Sequence, residues 1–409
     1  MSSLYIDPGT GSMLFTVLLS IIGAALYSMR MLIVKLRMKT GKKSVEKDLQ
    51  KIPFVIFSDD KRYWSIFEPI CREMDRRGKD IVYITGSEDD PALTCSYKHV
   101  KAEYLAGNKI FTRLNFLNAS VVLSTTPGLD VYQWKRSKMV QHYVHIPHAA
   151  NDILLYRMFG IDYYDAILLS GEYQVQSLRK LEKLRSLPEK ELVKVGIPYM
   201  DEMKKRFQSV GAIGEHPRTV LLAPSWGKSA ILNVYGKKII DVLLQTGYHI
   251  IIRPHPQSFK SETELMDKLM AEYPESDQLE WNRDTDNFEV LRRSDILISD
   301  FSGVTFDFTL IYDKPIIYTD PKFDLSLYDA WWLDDPLWTV SALPRLGKQL
   351  TDDNMNNLKE LIDSCINDAQ YAEGRQSVKA ETWEHDGEGA VRVADYLIAK
   401  QEELSRKEK

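Results

Sequence analysis

The feature that most constrains this chain's fold is a recurring unit. An uninterrupted apolar run ends in a polar or glycine-bearing turn, and a helix-spaced segment follows. PFVIFSDD (53–60), KDIVYITGSEDD (79–90) and ASVVLSTTPG (119–128) are such runs, with helical spacing in YWSIFEPICREMDRRG and NKIFTRLNFL. KHVKAEYL, MVQHYVHIPHA, YDAILLSGEY and LVKVGIP add further strand candidates. The spacing is that of βαβ units. Strands that are apolar throughout, rather than alternating, predict parallel sheets covered on both faces.

The cycle restarts at RTVLLAPSW (218–226), after the polar GAIGEHP (211–217). It then runs through GKKIIDVLLQTG, YHIIIRPHP, SETELMDKLMAEY, DQLEW, NFEVLRRS, DILISD and KPIIY. A chain of 409 residues is also long for one hydrophobic core. The fold class expected is therefore α/β, with two Rossmann-like doubly wound domains. Residues 46–215 form the first and 216–380 the second, and residues 381–409 hold a helix that returns to the first. Ligands of such folds bind outside the C-terminal ends of the strands, in the cleft.

Residues 1–45 read differently. MLFTVLLSIIGAALYSM (13–29) carries no charge, and MLIV (31–34) continues it past Arg30. Arg30, Lys35, Arg37, Lys39, Lys42 and Lys43 follow, while no acid stands between Asp7 and Glu46. This predicts a membrane anchor, single-pass or peripheral, with a polybasic segment on anionic headgroups and the catalytic body cytoplasmic. Basic residues after the apolar run do not fit a cleaved signal peptide. Asp7-Pro8-Gly9 reads as a turn before the anchor.

A net charge of −5 with a pI near 6.0 argues against nucleic acid as a partner. Cys71, Cys95 and Cys365 are far apart, with no CxxC or His at ligand spacing, which gives no disulfide framework and no support for zinc. No DxD-type metal site is present, and no cofactor is expected.

Polar chemistry gathers at the strand ends. In HIIIRPHPQS (249–258) the strand delivers Arg253 and His255 past its end, stiffened by Pro254 and Pro256. Arginine offers a donor fork suited to phosphate, and histidine a donor or proton carrier. In HYVHIPHAAND (142–152) an extended chain points His142 and His145 to opposite faces, which marks them as core or supporting residues. His148, beyond Pro147, is the candidate general base. LLAPSW places Ser225 where it can touch a phosphate and Trp226 where it can stack on a base or pack in the core.

LISDFSGVTFDF (297–308) hands a strand over to a helix beginning around Ser302-Gly303. Ser299, Asp300 and Ser302 are N-cap types, and the amides at Ser302 and Gly303 form an anion site at the helix's positive end. Phe301, Val304, Phe308 and Ile311 define an apolar stripe, on which Asp307 is costly unless paired or open to a cleft.

In their order and spacing these pieces resemble the CDP-glycerol glycerophosphotransferase family, which acts in teichoic-acid-type polymer synthesis. The carrying segments are PHAAND (147–152), VGIPYMDEM (195–203), LLAPSWG (221–227), IIRPHP (251–256), LISDFSGVTFDFTLIYDKPIIY (297–318) and DGEGAVRVADYL (386–397). The resemblance implies a GT-B-like fold and transfer of glycerol phosphate, or a similar polyol phosphate, from a CDP-linked donor. The acceptor it implies is a lipid-linked or glycan hydroxyl at the membrane. It also implies that Arg253, His255, Ser302 and Asp307 line the donor pyrophosphate site and that His148 is the base. The family's Trp-His-Gly is replaced here by Pro147-His148-Ala149. A GT-B glycosyltransferase using a nucleotide sugar is the alternative reading.

Overall fold

The computed structural model describes Met29 and residues 51–408, except 151, 285, 301 and 320–323. The expected membrane helix over 13–29 (Met29 apart), the basic segment and Asp7-Pro8-Gly9 therefore lie outside the described residues, as does Phe301. Among the described residues no helix is long and apolar enough to cross a membrane.

Residues 52–409 form one compact unit built around two parallel sheets. The first contains β1 (Ile52–Ser58), β2 (Ile81–Thr85), β3 (Val100–Tyr104), β4 (Ala119–Ser124), β5 (Val140–His145), β6 (Ala166–Leu169) and β7 (Glu191–Lys194). Its order is β3-β2-β1-β4-β5-β6-β7. The second contains β8 (Thr219–Leu222), β9 (His249–Ile252), β10 (Leu279–Trp281), β11 (Ile296–Ser299), β12 (Ile316–Thr319) and β13 (Gly347–Leu350), in the order β10-β9-β8-β11-β12-β13. Strand order reverses between β1 and β4 and again between β8 and β11, and a doubly wound sheet opens its ligand crevice at such a reversal.

The apolar strands bury both faces. Phe54 and Ile56 point to one side of β1, Val55 and Phe57 to the other, and all four are buried. The Phe54 face is continuous with the second half. Its cluster runs through Tyr199 and Met200 of the Pro198–Val210 helix to Leu297, Phe306 and Phe308. The Val304–Tyr312 helix is buried all round from Thr305 to Tyr312, not along one stripe. The reason is position: it packs on β11, on the Pro198–Val210 helix and on the Gln370–Thr382 helix at once. A helix hydrophobic on every side belongs in such a place.

Besides its return to the second sheet at β13, the chain crosses between the halves at three places. The first crossing is the 211–217 linker. The second follows β12, where the segment from Asp324 to Leu337 lies on the first half. There Met158 N–H donates to the Leu327 carbonyl (3.1 Å), Asp329 N–H to the Tyr156 carbonyl (2.9 Å) and Phe159 N–H to the Asp329 carboxylate (2.9 Å). Arg185 closes this junction. It meets Asp162 at 2.8 Å and Asp329 at 2.6 Å, and its guanidinium lies 4.8 Å from the Phe159 ring and 5.0 Å from the Trp332 ring. All three charged side chains are less than 8% exposed.

The third crossing brings the C-terminus home. Asp201, 3% exposed, accepts from Trp383 Nε1 (2.9 Å) and from the amides of Gly387 (2.7 Å) and Gly389 (2.8 Å). This aims the Gly389–Lys407 helix onto the first sheet, where Val393, Ala394 and Leu397 join the Phe54 cluster. Gly196 permits the approach: its φ is +86°, and a Cβ would stand 2.4 Å from the Glu384 carbonyl oxygen.

Candidate active site

Of the three histidines near β5, the structure separates His148 from the other two. His142 Nε2 meets the Tyr396 hydroxyl at 2.9 Å and so docks the C-terminal helix. His145 is fully buried, bonded to the Tyr156 hydroxyl at 2.9 Å, and burial lowers its pKa to about 3. His148 lies past the strand end and is open to solvent, yet the protein around it lowers its pKa to about 4, with the Arg62 charge adding to the effect. A ring both reachable and crowded belongs to a cleft wall. Tyr63 and Tyr156 flank it, with ring centroids 5.6 and 6.2 Å away.

The second sheet contributes its own strand ends. Arg253 donates through Nη1 to the Asn282 side-chain oxygen, which fixes the fork. His255 Nδ1 accepts from the Gln257 amide at 3.1 Å, so the neutral ring presents Nε2–H as a donor. Burial lowers its pKa to about 4, with Arg62 and Arg253 contributing. Trp226 is 45% exposed, its ring centroid 6.5 Å from that of His255, so it stands at the cleft rather than in the core. The Arg62 charge lowers the pKa of both His148 and His255, which puts it within electrostatic reach of a strand end in each sheet.

Asp300 is placed differently from a ligand contact. Fully buried, it accepts from the Ser225 amide (3.0 Å) and the Ile231 amide (3.0 Å), which ties the loop after β8 to the end of β11. Ser225 is itself buried, and its amide is occupied by that bond. Ser302 and Gly303 precede the Val304–Tyr312 helix, and their carbonyls accept the Thr305 (3.1 Å) and Phe306 (3.0 Å) amides of its first turn, so an anion there would meet the amides that come before these.

Asp307 sits within the contact between the halves, where its carboxylate accepts from the Tyr199 hydroxyl at 2.6 Å. The same hydroxyl interacts with the backbone at Ala150, two residues beyond His148. Asp152 supports that loop from its other end, accepting from Leu154 N–H (3.1 Å) and Thr339 N–H (3.4 Å). Asp307 and Asp152 thus hold the His148 loop against the second half, which is a positioning role.

Burial raises the Asp307 carboxyl to about 6, and the Tyr199 bond moderates the shift. A carboxyl with a higher pKa folded than unfolded takes up a proton on folding. Its stabilising share is complete below the ordinary value of 3.8 and is lost as pH rises through about 6. The swing is on the order of 2–3 kcal/mol. Asp307→Asn should flatten the dependence of the urea midpoint on pH between 4 and 6.5, with no loss of stability at pH 7. An unchanged slope would show that Asp307 is not its source.

Sequence reasoning passed over Asp59, Arg62, Tyr63 and Thr126. SDDKRY follows β1 directly, but its place at the first strand-order reversal shows only once β1 and β4 are seen side by side. Among the described residues no group of three or more His, Cys, Asp or Glu is placed to hold a metal. A surface hollow of about 200 Å³, lined by Pro69, Arg72, Glu202 and Gly387 among others, lies against the C-terminal helix and does not include the strand-end residues.

The profile of the CDP-Glycerol:Poly(glycerophosphate) glycerophosphotransferase family matches residues 46–399. The chain belongs to this family. Over 246 residues the chain is 24% identical to the teichoic acid glycerol-phosphate primase of Bacillus subtilis (strain 168), covering 56% of its own length and 60% of the primase. The wall teichoic acid polymerase TagF, in a form soaked with CDPG, superposes with a TM-score of 0.56 at 18% identity, covering 95% of this chain and 98% of that one. A putative UDP-N-acetylglucosamine 2-epimerase from Listeria monocytogenes gives 0.55 at 13% identity, with 87% and 98% covered. At such identities the likeness establishes the two-domain, GT-B-like fold.

Proposed function

We propose that this protein transfers glycerol phosphate, or a similar polyol phosphate, from a CDP-linked donor to a lipid-linked or glycan hydroxyl in cell-envelope polymer synthesis. Family membership supports the donor. The observation that supports the chemistry is that His148 follows a strand of the first sheet and Arg253 and His255 follow a strand of the second, with Arg62 within electrostatic reach of both histidines.

In this reading the acceptor oxygen attacks the donor's β-phosphorus while the neutral His148 imidazole takes its proton. The new P–O bond forms as the bond to the bridging oxygen breaks, and CMP leaves with that electron pair. Arg253, His255 Nε2–H and the amides at Ser302 and Gly303 oppose the charge on the phosphoryl oxygens and on the departing CMP. A pKa of about 4 leaves His148 unprotonated in the empty cleft. A bound diphosphate raises that value again by favouring the imidazolium, which makes the ring a better base where one is needed. Attachment at the membrane is supported by the uncharged run 13–29 and the basic residues after it.

The test is to incubate membranes containing the full chain with CDP-glycerol labelled in the cytidine and to follow CMP release. A thermal-shift screen of CDP-glycerol against UDP- and GDP-sugars accompanies it. CMP release together with a shift specific to CDP-glycerol is expected. A shift with a nucleotide sugar alone would move the protein to the glycosyltransferases.

A further inference from the structure

Both sheets reverse strand order once, but the polar residues at the two reversals differ. In the second sheet the reversal holds Ser225, Trp226, Asp300 and Ser302. In the first it holds Asp59, Asp60, Arg62 and Tyr63 after β1, and Thr126 after β4. Asp60 accounts for the turn, because its carboxylate accepts the Arg62 amide at 3.0 Å and caps the 61–63 helical turn. Asp59 does no such work. It is exposed, and Thr126 Oγ1 donates to its Oδ1 at 2.8 Å across the reversal.

Arg62 is 54% exposed and meets Asp60 only at 3.4 Å. Its guanidinium stands 5.2 Å from the centroid of the Tyr63 ring, and that ring stands 5.6 Å from His148. A carboxylate and an arginine, separated by an aromatic wall from a neutral imidazole, therefore line the cleft side of the first half.

We propose that Asp59 and Arg62 form the acceptor subsite and that its ligand is the end of a polyol phosphate. Asp59 accepts a hydrogen bond from the hydroxyl next to the attacking one. Arg62 pairs with the acceptor's phosphate, and Tyr63 sets the spacing to His148. The inference rests on the transfer reading above. Two electrostatic features agree with it. Crowding raises the Asp59 carboxyl, as expected beside an enclosed space, and the Arg62 charge is felt at both His148 and His255.

The experiment uses the full chain in membranes, with labelled CDP-glycerol as donor and either sn-glycerol 3-phosphate or glycerol as acceptor probe. Loss of one charge-assisted hydrogen bond corresponds to about 10–100-fold in affinity. Asp59→Asn should therefore raise the KM of both probes by about 10-fold or more. Arg62→Ala should raise that of glycerol 3-phosphate by a similar factor, leave that of glycerol within about 3-fold, and be partly rescued by Arg62→Lys. CDP-glycerol binding should stay within about 3-fold in every variant. If Asp59→Asn does not fold, Thr126→Val carries the same expectation at about 2–5-fold.

Unchanged acceptor KM values in folded Asp59 and Arg62 variants would overturn the proposal. So would a wild-type chain that binds CDP-glycerol and releases CMP with no saturable dependence on either probe. A wild type that neither binds CDP-glycerol nor releases CMP would remove the transfer reading itself, and this inference with it.

Discussion

Replacing His148 with alanine should cut CMP release by about 10²–10⁴-fold, the range for losing a positioned general base. CDP-glycerol affinity should stay within about threefold, because the proposed donor contacts lie on the second half. A fall in kcat with donor binding retained is what a group acting mainly in the transition state produces. The pH profile adds an independent reading. With the ring lowered to about 4, kcat/KM in the free enzyme should lack the acid limb near 6.5 that an unshifted histidine gives. The measurement belongs in the Asp307→Asn background as well, since a carboxyl near 6 titrates in the same window. Turnover unchanged in His148→Ala would remove the residue from the chemistry.

The second large effect is structural. Arg185→Ala should destabilise the protein by about 3–5 kcal/mol, because it leaves Asp162 and Asp329 buried without their cation. At about 2–4 °C per kcal/mol the melting temperature falls by on the order of 10 °C. Burial already holds the Asp329 carboxyl at about 6 with Arg185 present, and removing the arginine drives it higher. The loss is then greatest at neutral pH and shrinks as pH falls and Asp329 protonates. Arg185→Met combined with Asp162→Asn and Asp329→Asn should recover most of the stability, since no charge is then stranded. A single variant that melts with the wild type would show the junction to be unimportant.

Much of the fold was legible because parallel strands are apolar on both faces and end abruptly. PFVIFS, ASVVLS, HIII and ILIS each became a strand within a residue or two of where the pattern put it. The segment between β12 and the C-terminal helix was not legible. β13 is only GKQL, with no apolar run, and the Trp338–Leu346 helix contains Pro344, which argues against a helix in isolation. Both form because neighbouring elements already offer a sheet edge and a groove.

At the candidate site, residue type and strand end were enough to nominate Arg253, His255 and His148. Pairing was not readable. Nothing in LISDFSG reveals that Asp300 turns inward to the Ser225 and Ile231 amides, or that Asp307 meets a tyrosine 108 residues earlier. A single sequence records which groups are polar, but the partners that satisfy them are chosen by long-range packing. Asp59 and Arg62 were missed for the opposite reason. Their place at the strand-order reversal becomes visible only once β4 is known to lie beside β1.

The three crossings also set an order of assembly during synthesis. The first sheet leaves the ribosome early, but Ala330 and Leu337 complete one of its faces, and Val393, Ala394 and Leu397 the other. Domains usually fold as they emerge, N-terminal first. Here the first half carries two unfinished apolar faces until residues 389–407 are made, so its core closes only after the strands of the second half have been synthesised.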